Sequence, residues 1–241
     1  MHFLKFGESK KYIVFLHGWG ADLNSFLWLK TYFEDEYSLL FLDFDGFGES
    51  PEPQESMCVS DYVQSLKSLL DGFCIDELVF VAHSFGGRVA IKFLFNYQNF
   101  YEKVSLCLID SAGILPKRGL IYKVKVARFK RLKSKLTKTE RDINKLEKFG
   151  SSDYRVLSPV MKHTFVKVVN EDLTNFAKFL KCKTVIVWGE KDKETKPYMA
   201  RKLNRLIKDS SLIFLKNSGH FSFLENKRDF VIILDSFLKN L

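Results

Sequence analysis

Residues 79–90 read VFVAHSFGGRVA, and this stretch decides the fold. The apolar run that ends at Ala82 is typical of a buried strand, and a helical pattern begins at Phe85. Ser84 lies between them, with small residues two positions before it (Ala82) and two positions after it (Gly86). A nucleophile elbow needs this arrangement, because its turn is too tight for larger residues at those two places. The pattern therefore predicts a nucleophilic Ser84, although Ser is also a common helix N-cap.

Strand and helix patterns alternate along most of the chain. Strands that are apolar on both faces are predicted at Tyr12–Leu16, Leu39–Phe44, Leu78–Ala82, Val104–Ile109, Thr184–Trp188 and Leu212–Leu215. Helices are predicted between them at Asn24–Tyr37, Met57–Phe73, Phe85–Tyr97, Lys196–Lys208 and Arg228–Lys239. This alternation predicts an α/β fold in which helices flank a mostly parallel central sheet.

The segment 113–175 interrupts the alternation. It contains no convincing buried strand, and it is rich in Lys and Arg with few acidic residues to oppose them. Apolar side chains nevertheless recur there at helical spacing, at Tyr122, Val126, Phe129, Leu132 and Leu136. We therefore expect 113–175 to be a helical basic lid, inserted into a core that residues 1–112 and 176–241 form.

Two later strand ends carry residues that would complete a catalytic triad. Asp192 follows one predicted strand, and His220 lies between the last predicted strand and the last helix. The carboxyl ends of parallel strands form the crevice where ligands bind. We expect His220 to take the proton of Ser84 and Asp192 to hold the imidazole. Asp110, at the end of another predicted strand, is the alternative acid.

The loop after the first predicted strand reads His-Gly-Trp-Gly, and we expect it to supply one N–H group of the oxyanion hole. The backbone N–H groups of Trp19 and Phe85 are the candidate oxyanion hole. His17 stands at a strand end with short reach, so we expect it to order the loop by hydrogen bonding. His83 precedes the nucleophile, and its side chain is expected to point the other way. Together with Gly18, these two histidines are the candidate substrate contacts.

These residues resemble the α/β-hydrolase superfamily along nearly the whole chain. Residues 43–50, DFDGFGES, are similar to the superfamily's Asp-x-x-Gly-x-Gly-x-Ser loop, with Asp45 where Pro or Arg is usual. The His-Gly-Trp-Gly and Gly-Phe-Gly loops most resemble pimeloyl-acyl-carrier-protein methyl ester esterases. That resemblance implies Trp19 and Phe85 as oxyanion donors, and a basic lid that meets an acidic carrier protein.

A second resemblance is to 2-hydroxy-6-oxohepta-2,4-dienoate hydrolases, which cleave C–C bonds in meta-cleavage products. It rests on residues 187–192, VWGEKD, and on Gly-His-Phe at residues 219–221. Those enzymes usually carry a Gly-Pro-Gly stretch that is missing here, and usually have Asn where this chain has His83. Epoxide hydrolases and dehalogenases of the same fold use an Asp nucleophile, so Ser84 argues against both.

Three functions follow as hypotheses. The first is a serine hydrolase that cleaves a small-molecule carboxylic ester, or a related acyl compound, through an acyl-enzyme. The second is a C–C bond hydrolase that acts on an acidic carbonyl substrate of the 2-hydroxy-6-oxo-dienoate type. The third is a non-catalytic binding protein on the same fold.

The composition limits the partners and the location. The net charge of the 241 residues is +9, so the basic lid could bind an anionic substrate or an acidic carrier protein, or simply be a solvated helix face. No nucleic-acid motif accompanies it. No apolar run approaches the roughly 20 residues that span a bilayer, and the first residues do not read as a signal peptide.

The cysteines, Cys58, Cys74, Cys107 and Cys182, stand alone in the sequence. Without a Cys-x-x-Cys pair or a disulfide framework, the sequence predicts no structural zinc and favours a reducing compartment. We therefore expect a cytoplasmic protein that needs no metal and no cofactor.

Overall fold

The apolar runs of the sequence pair into one seven-stranded sheet in the computed structural model. The structure describes residues 1–117 and 156–241, together with positions 124, 127, 128, 131 and 154. The strands are β1 (Phe3–Phe6), β2 (Lys11–Leu16), β3 (Ser38–Leu42), β4 (Glu77–His83), β5 (Lys103–Ile109), β6 (Lys183–Gly189) and β7 (Ser210–Leu215). Their order across the sheet is β1-β3-β2-β4-β5-β6-β7.

The helices of the described residues cover both faces of this sheet. They are α1 (Asn24–Leu27), α2 (Lys30–Phe33), α3 (Val59–Leu70), α4 (Phe85–Tyr97), α5 (Pro159–Asn170), α6 (Thr174–Ala177), α7 (Pro197–Leu206), α8 (Ser222–Glu225) and α9 (Lys227–Lys239), with a short 3₁₀ turn at Gln98–Phe100. The architecture is the predicted α/β fold, with a parallel sheet from β3 to β7.

Alternate residues of the central strands belong to two separate cores. In β2, Val14 and Leu16 face the core that includes α3 and α4. Ile13 and Phe15 face the opposite core, to which α1, α2 and α9 contribute. Because successive side chains of a strand point to opposite faces, a strand covered on both sides must be apolar throughout. This explains the continuous apolar runs of the sequence.

Two details differ from the sequence prediction. The edge strand β1 was missed; it pairs antiparallel with β3, and its side chains are only partly covered. The helix predicted at Asn24–Tyr37 is two short helices instead. Trp28 and Leu29 lie between them, and the backbone N–H groups of Leu29 and Tyr32 donate to carbonyls three residues earlier, at 2.9 Å and 3.1 Å, instead of four residues earlier as in a continuous α-helix.

The segment predicted to form a lid is described only in part. The predicted apolar stripe, Tyr122, Val126, Phe129, Leu132 and Leu136, lies outside the described residues. Near the end of the segment, α5 begins at Ser158, whose hydroxyl accepts the backbone N–H of Met161 at 3.1 Å. Thr164 in this helix accepts the N–H of Met57 at 3.0 Å, which fixes α5 to the core. The boundaries 113–175 stay a prediction.

The sheet order reverses next to β2, because the chain crosses from β2 to β3 on one side and then to β4 on the other. Ligands bind at such switch points, outside the carboxyl ends of the strands. Leu16 and Ala82 are register partners at these ends, so the loops that follow β2 and β4 emerge side by side. Within the described residues, none of the helices is both long and apolar enough to cross a bilayer.

Candidate active site

Ser84 occupies a strained turn between β4 and α4. Its backbone has φ 47° and ψ −107°, a conformation that residues other than Gly seldom adopt. The next turn of chain is pressed against β2: a Cβ added to Gly86 would lie 2.2 Å from the carbonyl oxygen of Leu16. The backbone N–H of Gly86 instead donates to the carbonyl of His17 at 3.0 Å. The turn thus requires the small residue that the sequence shows there.

The structure brings the three predicted triad residues together. The Nε2 atom of His220 is 3.0 Å from the Oγ atom of Ser84. On the other side of the ring, Nδ1 of His220 is 2.9 Å from Oδ2 of Asp192. An ionised carboxylate only accepts hydrogen bonds, so Nδ1 carries the proton and Nε2 is the atom that accepts the Ser84 hydroxyl. The base is thereby held in the tautomer that can remove the Ser84 proton.

The charges around His220 favour a functional base. Burial lowers the pKa of His220, but the hydrogen bond and charge of Asp192 raise it more, and Glu194 adds to the rise, so the net shift is upward. Burial raises the pKa of Asp192, but its hydrogen bonds to His220 and Thr195 outweigh that effect and keep it below the ordinary value. The pair is an ionised carboxylate beside an imidazole whose pKa is raised, which is the arrangement that a general base of this kind requires.

Thr195 and the backbone around it hold Asp192 in place. Oδ1 of Asp192 accepts the backbone N–H groups of Glu194 at 2.8 Å and Thr195 at 3.1 Å. Oδ2 accepts the hydroxyl of Thr195 at 2.6 Å. The carboxylate is therefore fixed by donors other than His220, which orients it before the imidazole engages it.

Asp110, the alternative acid, has a different place in the structure. It is fully buried, and its Oδ1 accepts the N–H of Gly189 at 2.7 Å. Its Oδ2 accepts both the N–H (3.1 Å) and the hydroxyl (2.6 Å) of Ser222. These bonds connect the ends of β5 and β6 to α8, directly after His220. The geometry supports Asp192 as the partner of His220 and gives Asp110 a structural position.

Trp19 and Phe85 border the cavity above Ser84. Phe85 is the first residue of α4, where the backbone N–H has no acceptor within the helix. The indole ring of Trp19 packs edge-on against the ring of Phe85, with centroids 5.4 Å apart, and against that of Phe165 of α5 at 5.1 Å. Both residues therefore border the cavity beside Ser84, and their role as oxyanion donors stays a prediction.

The three candidate substrate contacts have different positions. Gly18 borders the cavity. His17 does not: it is buried, its Nδ1 lies 2.8 Å from the carbonyl of Gly18, and its Nε2 accepts the N–H of Phe44 at 3.0 Å. Burial lowers its pKa. The ring therefore orders the loop, and the geometry does not support it as a substrate contact.

His83 was expected to point away from the site, and this expectation is wrong. Its Nε2 lies 2.7 Å from the backbone carbonyl of His220, and the two rings are 4.9 Å apart. Burial lowers the pKa of His83 to about 3, so the ring is neutral and its N–H donates to that carbonyl. His83 also borders the cavity, but its observed bond is to the main chain that carries the base.

The cavity has a volume of about 620 Å³ and opens beside Ser84. Sequence reasoning missed several residues of its wall, Arg88, Ala112, Phe165, Val168, Val169, Glu194 and Phe221. Among these, only Arg88 had a usable signal, since it lies one helical turn after Ser84. The others reach the cavity through loops or through α5, whose packing no local pattern reveals. No group of three or more His, Cys, Asp or Glu side chains within the described residues is arranged to hold a metal ion.

A sequence profile described as the alpha/beta hydrolase family matches residues 13–232 of the chain. The AB hydrolase superfamily protein YisY of Bacillus subtilis is 25% identical over 232 residues, which cover 89% of this chain and 87% of YisY.

Solved structures show the same fold. An esterase from Exiguobacterium antarcticum superimposes with a TM-score of 0.75 at 23% identity, covering 99% of this chain and 95% of the esterase. The meta-cleavage product hydrolase CumD of Pseudomonas fluorescens superimposes with a TM-score of 0.72 at 17% identity, covering 99% of this chain and 93% of CumD.

Proposed function

The chain belongs to the alpha/beta hydrolase family, and from this premise we propose that it is a serine hydrolase that cleaves carboxylic esters through an acyl-enzyme. The single observation that carries the proposal is the continuous contact from Ser84 through His220 to Asp192, at 3.0 Å and 2.9 Å. The ester specificity is further supported by the similarity in fold to an esterase.

In the proposed mechanism, each residue of the site has a defined role. His220 takes the hydroxyl proton as the Ser84 oxygen adds to the ester carbonyl carbon, and Asp192 stabilises the imidazolium that forms. The N–H groups of Trp19 and Phe85 face the developing oxyanion, and each such donor typically contributes about 10²–10³ in rate. His220 then gives its proton to the departing alcohol. Water, deprotonated by the same imidazole, releases the acid and restores Ser84.

The proposal is tested with purified protein on p-nitrophenyl esters of several chain lengths. We expect hydrolysis by the wild type, and a loss of kcat of at least about 10³-fold in Ser84→Ala, because the nucleophile is gone. Ser236→Ala, which removes an exposed hydroxyl, is the matched control and should behave like the wild type. Activity that persists in Ser84→Ala would reject the mechanism.

A C–C bond hydrolase is the second candidate, favoured by the fold similarity to CumD and by the cationic wall residue Arg88. Its substrate would be an acidic carbonyl compound, a 2-hydroxy-6-oxo-dienoate. Loss of the dienoate absorbance on addition of the protein, in the absence of activity on simple esters, would favour this candidate. A non-catalytic binding protein would instead leave both substrate types intact.

We also propose that an acidic carrier protein binds the Lys- and Arg-rich segment 113–175, because opposite charges attract.

A further inference from the structure

Arg88 places a buried positive charge in the wall of the catalytic cavity. Its side chain is 5% exposed, and it borders the same cavity as Ser84 and His220. Burial lowers the pKa of the guanidinium to about 10, so it remains charged at neutral pH. A buried charge is costly unless an opposite charge or hydrogen bonds compensate for it, and the partners of Arg88 therefore matter.

The partners of Arg88 are backbone carbonyls. Nη1 donates to the carbonyl of Glu171 at 2.7 Å and Nη2 to that of Val169 at 3.4 Å. Within the part of the chain that the structure describes, no carboxylate comes within ion-pair distance of the guanidinium. Glu171 and Asp172 act on Arg88 only from beyond ion-pair distance, where their charges raise its pKa; the carboxylate of Glu171 binds Lys92, and that of Asp172 accepts the N–H and hydroxyl of Thr174.

The two carbonyls satisfy only part of this group. A guanidinium has more N–H donors than two carbonyls accept, and neither Glu171 nor Asp172, whose charges favour the ionised guanidinium, makes an ion pair with it. A carboxylate would supply the missing acceptors and a direct ion pair, through the two parallel hydrogen bonds that Arg prefers.

The position of Arg88 on α4 directs it toward the reacting atoms. Residues four apart lie on one face of a helix, with Cβ atoms roughly 5–6 Å apart. Helical side chains also lean toward the N-terminus of their helix. Ser84 is the N-cap of α4 and Arg88 is the fourth residue of that helix, so both lie at its N-terminal end, and both border the same cavity. A carboxylate held there is therefore within a short chain length of a carbonyl placed at Ser84.

Glu194 adds a negative charge to the wall of the cavity. Its Oε2 lies 3.5 Å from Nε2 of His220, and its side chain is 71% exposed. An anionic substrate group is thus attracted to the buried Arg88 and repelled from the exposed Glu194. The acyl part, which stays on Ser84 after the first step, fits the buried side, and the alcohol leaves on the exposed side.

We propose that the acyl part of the substrate carries a second carboxylate, which Arg88 binds. This assignment rests on the proposed esterase function and names its substrate class, the monoesters of short dicarboxylic acids. Ser84 forms a bond to the ester carbonyl carbon, the C–O bond to the alcohol breaks, and His220 protonates that alcohol. Water then cleaves the acyl-enzyme, so the products are one alcohol and one dicarboxylic acid.

The test compares mono-p-nitrophenyl adipate with p-nitrophenyl hexanoate, which differ in a terminal carboxylate against a methyl group. We expect the wild type to prefer the adipate ester by at least about 10-fold in kcat/KM. Arg88→Gln should abolish this preference. Arg88→Lys should retain part of it, because Lys keeps the positive charge but cannot form the two parallel hydrogen bonds of a planar guanidinium. The matched control is Arg201→Gln, which removes an exposed cation that stacks on Phe214; it should keep the wild-type preference.

The results distinguish a role of Arg88 in binding the substrate carboxylate from a role only in holding α5 against α4. If Arg88 only ties α5 to α4, Arg88→Gln will lower kcat/KM for both esters by the same factor, and the proposal is overturned. Equal use of both esters by the wild type also overturns it, while leaving the proposed esterase function intact.

A binding measurement decides the case even without turnover. In the Ser84→Ala protein, calorimetry should show tighter binding of monomethyl adipate than of dimethyl adipate, and adding Arg88→Gln should remove that difference. Equal binding of the two esters would reject the carboxylate site, whichever reaction the protein catalyses.

Discussion

At the residue scale, two carboxylates, one buried and one exposed, affect the pKa of the His220 imidazole. Asp192 is buried and bonds Nδ1, whereas Glu194 is exposed and lies near Nε2, on the side of Ser84. Both raise the pKa of the imidazole. In the proposed mechanism the neutral imidazole is the base, so a raised pKa should make activity decline at a higher pH on acidification than an ordinary histidine would give.

Glu194→Gln should therefore shift the acidic limb of the kcat/KM profile to lower pH. Removing the Glu194 charge removes one of the causes that raise the pKa of His220, so the neutral base persists in more acidic solution. The profile is measured on p-nitrophenyl hexanoate. Glu190→Gln, an equal change at an exposed acid of the same loop, should leave the limb in place. A limb that is unchanged or moves upward in Glu194→Gln would contradict the assignment.

The triad could be predicted from the sequence because each member stands at a strand end, in the order Ser, Asp, His. The sequence analysis favoured Asp192, but Asp110 stayed the alternative acid because both residues follow strands. The choice depends on Thr195 and on backbone N–H groups that fold around Asp192. The orientation of His83 was predicted wrongly because a turn with positive φ at Ser84 breaks the alternation of side chains along β4.

At the scale of elements, Asp110 joins three pieces of structure. Its carboxylate accepts N–H and hydroxyl donors from Gly189 at the end of β6 and from Ser222 in α8. Burial raises its pKa to about 7, while the bonds from Ser222 and Gly189 act in the opposite direction. This junction supports the loop that carries His220, two residues before Ser222.

Asp110→Asn should lower the free energy of unfolding by about 1–3 kcal/mol, because an amide nitrogen would face donors and leave buried groups without acceptors. Chemical denaturation measures the change. Asp35→Asn, at an exposed position, is the control and should change stability little. Equal stability of the Asp110→Asn and wild-type proteins would show that the junction does not support the fold.

The strands could be predicted from the sequence where both of their faces are buried. The six apolar runs are strands because both faces are covered, and the predicted α/β-hydrolase fold class is confirmed. The edge strand β1 escaped prediction because its short pattern, FLKF, lacks a second buried face. Likewise, the break after Leu27 consists of a local change in the backbone hydrogen bonds of Leu29 and Tyr32, which helical periodicity does not reveal.

At the scale of the whole molecule, the chain carries a net charge of +9, and one buried cation, Arg88, lies in the wall of the cavity. Such a charge attracts anionic ligands over distances that salt controls. The Debye length falls from about 30 Å at 0.01 M salt to about 3 Å at 1 M. The excess charge should therefore affect the encounter with a carboxylate-bearing ester, and not that with a neutral one.

We expect kcat/KM for mono-p-nitrophenyl adipate to fall severalfold as NaCl rises from about 0.01 M to about 1 M, because screening weakens long-range attraction. The neutral ester p-nitrophenyl hexanoate is the control and should change little. Identical salt responses of the two esters would show that the positive charge does not assist substrate binding.

The central claim, that Ser84 is the nucleophile and His220 its base, is tested most directly by labelling with a fluorophosphonate. Peptide mass spectrometry should find a single phosphonyl adduct on Ser84 in the wild type, none in Ser84→Ala, and labelling slowed by orders of magnitude in His220→Ala. An adduct on another residue, or a labelling rate unaffected by His220→Ala, would contradict the account.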